Sequence, residues 1–179
     1  NWKSKNLGSV VKSTNKWSNN LMSKTLVYAI GYDPKVDRAT SKLGLKSINN
    51  FLLEHALLSN TLKVIDGSGL DKEVRASTAD IIRLLNFAWA RNTMPEFVAS
   101  LSIAGKDGTT RNLFKRMDLG NAARIKTGTL NGVVSAGGYL FSNSGGVYSL
   151  AAIINKKNLD KNDARNTLED IIKLVIEKF

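Results

Sequence analysis

The sequence contains no cysteine and a single histidine, His55, among its 179 residues. The missing thiols exclude a disulfide framework and a thiolate metal site. One imidazole excludes a metal site built from several histidines and disfavours a Ser-His-Asp triad. We therefore expect neither a metal nor another cofactor. No apolar run approaches the roughly 20 residues of a membrane-spanning helix, so no membrane span is expected.

Acidic residues are scarce relative to basic ones. The chain has 15 Asp and Glu against 26 Lys and Arg, which gives a net charge of +11. Such a chain can attract nucleic acid, anionic lipid or an anionic polymer. The basic residues are scattered, however, and no run of them is interleaved with aromatic residues. The pattern favours a solvated basic surface, and we predict no nucleic-acid partner.

The order of hydrophobic patterns predicts an α+β fold. Helical spacing indicates helices near residues 7–14, 18–31 and 39–58. Three runs of strand character follow at 122–130, 133–141 and 147–155, and the last two flank an Asn-Ser-Gly-Gly hairpin signal. A final helix closes the chain. This order predicts one domain over residues 1–179, with an antiparallel sheet packed against helices.

Shorter features complete the expected secondary structure. Leu62 to Ile65 has the composition of a short strand, and a turn should follow it at 66–69. Ser77 is expected to cap the next helix. The buried faces of that helix and of the last helix are predicted to consist of Ile81, Leu84, Leu85, Ala88 and Trp89, and of Leu168, Ile171, Ile172 and Val175.

A lysine, two threonines and a glycine occur together in the first strand-like run, as Lys126-Thr127-Gly128-Thr129. A lysine beside hydroxyl groups can hold a carboxylate, by charge and by directed hydrogen bonds. Gly128 permits close approach of a substrate backbone. The backbone N–H of Thr129 can form half of an oxyanion hole. The alternative is a half-exposed strand whose polar residues face water.

The triplet Ser18-Asn19-Asn20 adds weight to the functional interpretation. Serine acyl-transferases that work without histidine carry S-x-x-K, then S-x-N, then K-T-G. Ser18 and Asn20 have the S-x-N form and precede Lys126 by about a hundred residues. In such a site the serine hydroxyl passes a proton to the leaving amine, and the asparagine amide holds a substrate carbonyl or the lysine. The alternative is that Ser18 is an ordinary helix N-cap.

Taken in order, these segments resemble the C-terminal part of the penicillin-binding D-alanyl-D-alanine carboxypeptidases, specifically the low-molecular-mass class C type with endopeptidase activity. The resemblance rests on four stretches, VVKSTNKWSNNLMSKTLVYAIG, VIDGSGL, SIAGKDGTTRNLF and ARIKTGTLNGVVSAGGYLFSNSGGVYSLAAIIN. It implies a penicillin-binding transpeptidase-like fold, an antiparallel sheet between helical layers, whose N-terminal part is missing here. It also implies an extracytoplasmic or periplasmic serine peptidase that acts on peptidoglycan stem peptides and is inhibited by β-lactams.

Carried over residue by residue, the resemblance assigns catalytic roles to Ser18, Asn20 and Lys126. It assigns substrate binding to Thr127, Gly128 and Thr129.

The first motif of the family, S-x-x-K, is not clearly present. Ser9 with Lys12 and Ser13 with Lys16 have the spacing, but both pairs lie only a few residues before Ser18. Three motifs must converge from separate elements, and so short a connection leaves little room to fold back. We therefore expect this chain to be the C-terminal segment of a longer enzyme, with the rest of its catalytic domain as its partner. The alternative is an inactive fragment or pseudoenzyme that binds peptidoglycan.

Overall fold

The computed structural model describes residues 3–114 and 121–178. Contacts divide the chain into two compact units, one of residues 1–18 and 85–179, the other of residues 19–84. The single-domain assignment of residues 1–179 stays a prediction.

Six α-helices, six β-strands and one 3₁₀ turn are described. In chain order, they are α1 (Leu7–Trp17), α2 (Asn20–Ile30), β1 (Tyr32–Asp33), β2 (Arg38–Ala39), α3 (Ser41–Glu54), α4 (Thr78–Trp89), α5 (Met94–Ser100), β3 (Ser102–Ile103), a 3₁₀ turn (Gly108–Thr110), β4 (Ala123–Leu130), β5 (Val133–Phe141), β6 (Val147–Asn155) and α6 (Lys161–Lys178).

In the unit of residues 19–84, α2 and α3 pack at very close range. A Cβ atom placed on Gly44 would overlap the carbonyl of Val27, so only glycine fits on α3 at this crossing. The α2 helix begins at its N-cap Asn19, whose side chain accepts the N–H of Met22 at 3.0 Å, and it ends at Gly31. The predicted N-cap was Ser18, and that prediction is wrong by one residue.

The same unit contains a buried carboxylate, Asp80, on the first turn of α4. Its side chain is 1% exposed and forms an ion pair with Arg83. It also accepts hydrogen bonds from Ser59 at 2.6 Å, Thr61 at 2.7 Å and both the N–H and hydroxyl of Ser77. Burial alone would raise the pKa of Asp80, but these donors outweigh it and hold the pKa far below its usual range. The Ser77 hydroxyl in turn accepts the N–H of Asp80, as predicted for a cap.

The other unit is built on an antiparallel sheet in the order β3-β4-β5-β6. Both hairpins pair along their whole length, from Ala123 opposite Leu140 to Leu130 opposite Val133 and from Val133 opposite Asn155 to Phe141 opposite Val147. The α+β prediction, with all three long strands, is therefore confirmed. Strand β3 is much shorter and pairs only with Ile125 and Arg124.

Helices cover both faces of this sheet. On one face, Ala164, Leu168, Ile172 and Ile176 of α6 pack into the core against the two long hairpins. On the other face, the Tyr139 ring is fully buried against Trp89 and Phe97, and its hydroxyl donates to the Leu85 carbonyl at 2.7 Å. Burial raises the pKa of Tyr139 to about 12. The sheet thus lies between helical layers, as expected.

Three smaller predictions are wrong. Residues 62–65 form no strand; Lys63 makes only an isolated bridge with Arg75. Leu84 and Ile171 were placed on buried faces, yet they are 44% and 40% exposed. Hydrophobic spacing identifies which side of each helix is buried, but it does not show how far the buried face extends around the helix.

Candidate active site

The Lys126-Thr127-Gly128-Thr129 segment lies on β4 beyond the point where β3 stops pairing. Alternate residues of a strand point to opposite faces, so Lys126 and Gly128 share the face of Tyr139, and the two threonine side chains share the α6 face. Among the described residues, no strand pairs with this side of β4 after Ile125. The Ala104 N–H bonds to the Ala123 carbonyl, and by alternation the backbone N–H of Thr129 is directed to the same open edge.

The centre of the candidate site is a hydrogen bond between two distant parts of the sequence. The Lys126 ammonium lies 2.6 Å from the Ser18 hydroxyl oxygen, across 108 residues, and 2.7 Å from the Thr127 carbonyl oxygen. Lys126 is partly buried, whereas Ser18 is exposed. Burial disfavours the charged ammonium and lowers the pKa of Lys126. A lysine in this state can exchange a proton with the hydroxyl that it contacts.

Ser18 owes its position to the end of α1. It adopts left-handed backbone angles, φ 52° and ψ 47°, and its N–H bonds to the Thr14 carbonyl. A left-handed residue at a helix end is usually glycine, because a Cβ is unfavourable there. Ser18 keeps this conformation at the residue that contacts Lys126, and strained backbone of this kind is often found at functional sites.

The last turn of α1 is anchored by an ion pair that the sequence analysis did not identify. The Lys16 ammonium lies 2.5 Å from a carboxylate oxygen of Asp107 and 3.0 Å from the Leu101 carbonyl. Asp107 also accepts the Ile103 N–H at 2.7 Å. Burial alone would raise the pKa of Asp107, but Lys16 and the Ile103 N–H together lower it. This network ties the helix that carries Ser18 to the strand beside β4.

The two threonines face an opening between β4 and α6. The Thr127 and Thr109 hydroxyls are 3.1 Å apart, and the opening is also lined by Arg165 and Glu169 of α6. Neither Thr109 nor Arg165 was among the predicted site residues. Thr109 lies inside the SIAGKDGTTRNLF stretch, which the resemblance had already singled out, so that stretch could have identified Thr109. Nothing in the local sequence marks Arg165.

Gly128 has a structural reason to lack a side chain. A Cβ at this position would lie 2.6 Å from the Ser135 hydroxyl on the neighbouring strand.

Asn20 is the exposed first residue of α2 in the other unit. The catalytic role assigned to Asn20 and the substrate role assigned to Gly128 stay predictions.

The two local S-x-x-K pairs do not form serine–lysine dyads. Among residues 3–114 and 121–178, no hydrogen bond joins Ser9 to Lys12 or Ser13 to Lys16. Lys16 is instead committed to Asp107, with 12% of its side chain exposed.

In the described part of the chain, no three acidic, cysteine or histidine side chains come together to hold a metal ion. In the same residues, no helix has the length and apolar character needed to cross a membrane.

Comparison with known proteins places this geometry in context. A model of the D-Ala-D-Ala carboxypeptidase 3 (S13) family matches residues 1–177. No curated protein sequence matches the chain significantly.

Among solved structures, penicillin-binding protein 4 of Haemophilus influenzae, complexed with a β-lactam, is similar with a TM-score of 0.80 at 21% identity, over 94% of this chain and 41% of that one. A predatory endopeptidase of Bdellovibrio bacteriovorus, in complex with an immunity protein, has a TM-score of 0.77 at 19% identity, over 99% and 48%. A class A β-lactamase from Bacteroides cellulosilyticus has a TM-score of 0.69 at 19% identity, over 96% and 62%.

At these identities the likeness establishes the fold, and the expected penicillin-binding protein fold is confirmed. The chain spans less than half the length of the first two of these relatives.

Proposed function

This chain belongs to the D-Ala-D-Ala carboxypeptidase 3 (S13) family, and we propose that it is part of a serine-type carboxypeptidase or endopeptidase acting on peptidoglycan stem peptides. In this proposal the chain supplies the second and third catalytic motifs. The nucleophilic serine and its lysine lie outside these 179 residues, in the remainder of the catalytic domain. The protein works outside the cytoplasm, where its substrate is located, and β-lactams acylate it.

The observation that carries the proposal is the 2.6 Å contact between Lys126 and Ser18. An ordinary strand end gives a lysine no reason to meet a serine 108 residues away. A peptidase does have such a reason, because the leaving amine needs a proton and a hydroxyl group held by a lysine can pass one to it.

The chemistry divides into binding and proton transfer. The nucleophilic serine gives its proton to the lysine of the first motif and attacks the carbonyl of the scissile amide. The oxyanion accepts a hydrogen bond from the Thr129 N–H at the open edge of β4. As the C–N bond breaks, Ser18 passes a proton to the departing amine and recovers one from Lys126. Water then hydrolyses the acyl-enzyme. Its proton restores the Lys126 ammonium, and the lysine of the first motif returns its proton to the released serine. Asn20 is assigned to a substrate carbonyl, and Gly128 keeps the strand surface open.

One observation favours the second candidate, an inactive chain that binds peptidoglycan. The Lys16 of one local S-x-x-K pair is engaged in an ion pair, and no other serine–lysine dyad with that spacing forms in the described residues. If no further segment supplied the nucleophile, only binding would remain.

Labelling with a fluorescent penicillin separates these possibilities. The isolated chain should not be labelled covalently, whereas the protein joined to the rest of its catalytic domain should be. Labelling of the isolated chain that is lost in Ser9→Ala or Ser13→Ala would refute the external nucleophile. A longer protein that resists labelling yet binds purified peptidoglycan would establish the inactive alternative.

A further inference from the structure

The 3₁₀ turn between β3 and β4 contacts both sides of the candidate site. The residue before the turn, Asp107, forms the ion pair with Lys16 near the end of α1. The second residue of the turn, Thr109, has its hydroxyl oxygen 3.1 Å from that of Thr127 on β4. The turn therefore links the helix that is capped by Ser18 to the strand that carries the K-T-G motif.

The turn is packed tightly against α1. Gly108 has a φ of 56°, and a Cβ atom added there would lie 2.5 Å from the Lys16 carbonyl oxygen. Thr110 is fully buried, and its hydroxyl lies 3.1 Å from the carbonyl oxygens of both Ile103 and Asp107. Close packing of this kind leaves the turn little freedom to shift, so the Asp107 carboxylate is held at a fixed place beside the helix.

Ser18 depends on this support because it has few contacts of its own. Its side chain is exposed, and in the described residues its N–H bonds to the Thr14 carbonyl and its hydroxyl to Lys126. Lys16 lies only two residues before it, with an ammonium that is largely buried between Asp107 and the carbonyl that follows α5. If this anchor were released, the end of α1 could move, and the hydroxyl would move with it.

We propose that Asp107 is a positioning residue, which through Lys16 holds the Ser18 hydroxyl at Lys126 so that the departing amine receives its proton. The inference rests on the proposed function, which supplies the role of Ser18. In this assignment Asp107 acts through Ser18 and takes no part in bond breaking itself. Its loss should therefore slow the step that delivers a proton to the leaving group more than it slows the others.

The test compares two acyl donors that differ only in the leaving atom. In N-acetyl-D-alanyl-D-alanine the C–N bond breaks, and the departing nitrogen takes a proton from Ser18. In the thioester of N-acetyl-D-alanine with thiolactic acid the C–S bond breaks, and the thiolate leaves without a proton, since a thiol is far more acidic than an amine. For each donor kcat/KM is measured in the protein joined to the rest of its catalytic domain, because this ratio includes the acylation step.

Two variants break the ion pair from opposite ends. Asp107→Asn keeps an acceptor for the Ile103 N–H but removes the negative charge. It should lower kcat/KM for the amide about tenfold more than for the thioester, which is part of the roughly 10²- to 10⁴-fold that a positioned proton-transfer group contributes. Lys16→Met should show the same selectivity. Asp170→Asn, at an exposed position on α6, is the matched control and should leave both values unchanged.

Ser18→Ala gives a second readout that a merely structural role of Asp107 would not move. This variant should itself slow the amide more than the thioester. Adding Asp107→Asn to it should not widen the difference between the two donors, because the hydroxyl that Asp107 positions is already gone.

Every other outcome overturns the inference, and the outcomes show whether the proposed function falls with it. Equal losses for both donors in Asp107→Asn, no loss for either, or a wider difference in the double variant would remove the role of Asp107 and leave the proposed function standing. If the unsubstituted protein cleaves neither donor, or if Ser18→Ala shows no selectivity, the proposed function fails as well. Should Asp107→Asn not fold, Lys16→Met decides.

Discussion

Lys126 holds its ammonium between two oxygen atoms, and both contacts depend on a side chain of this length and charge. We expect Lys126→Ala to lower the rate of penicillin acylation by about 10²- to 10⁴-fold, the usual contribution of a positioned proton-transfer group. The measurement is labelling by a fluorescent penicillin in the protein that includes the nucleophile-bearing segment. Lys157→Ala, at an exposed position after β6, is the matched control. An unchanged rate in Lys126→Ala would remove the third motif from the mechanism.

Asp80 gives a prediction about stability and pH. Its folded pKa lies below the ordinary value of 3.8, so the ionised carboxylate stabilises the fold above that pH, and the stabilisation is lost as the pH falls through the folded pKa. Asp80→Asn should lower the free energy of unfolding at pH 7 by about 3–5 kcal/mol, because it leaves a buried network without its charge.

Urea unfolding at pH 7 and pH 3 measures both effects of Asp80. Between these two conditions the unsubstituted chain should lose more stability than the Asn variant does. Asp170→Asn, at an exposed position on α6, should change the free energy of unfolding by less than about 0.5 kcal/mol. Equal losses in the Asp80 variant and the unsubstituted chain would show that this carboxylate is not the group that titrates.

At the scale of elements, strand β5 is the centre of the sheet and admits no side chain at Gly138. This residue pairs with Ile125 on one side and Leu150 on the other, and an added Cβ would overlap the Arg124 carbonyl. Gly138→Ala should therefore destabilise the chain by about 1–3 kcal/mol, the usual cost of overpacking.

Urea unfolding followed by circular dichroism measures the effect at Gly138. The control is Gly8→Ala in α1, where the nearest atom to an added Cβ is 3.8 Å away. That change should be neutral or stabilising, because alanine favours a helix more than glycine does. A neutral Gly138→Ala would mean that β4 and β5 can separate locally at little cost.

The elements were also the part of the structure that the sequence predicted best. The long strands alternate regularly and end at turn residues, and these signals are local. The helix start at Ser18 was missed by one residue because Ser18 and Asn19 are both good caps, and the choice depends on how α1 ends. Residues 62–65 have strand composition, but strands form in pairs, and only one bridge is available to them.

At the scale of the whole molecule, the site could be predicted only in part. Ser18 and Lys126 were identified because their motifs occur in a known order, although no local signal shows that they touch. The partners that position them, Lys16 with Asp107, lie 91 residues apart. Arg165 reaches the site through the packing of α6, and a basic residue on a helix is ordinarily just part of a solvated face. These contacts join residues that are far apart in the sequence, so local sequence patterns could not predict them.

The division of the chain into two units also affects the order in which its parts can fold during synthesis. Residues 19–84 form one contiguous unit, while the other unit joins residues 1–18 to residues 85–179. During synthesis, the contiguous unit has all its residues before β4 exists, whereas α1 must wait for its partners α5 and the 3₁₀ turn. Contacts of high sequence separation form slowly, since a long loop must close first. The bond between Ser18 and Lys126 can therefore form only after the chain has been made as far as β4.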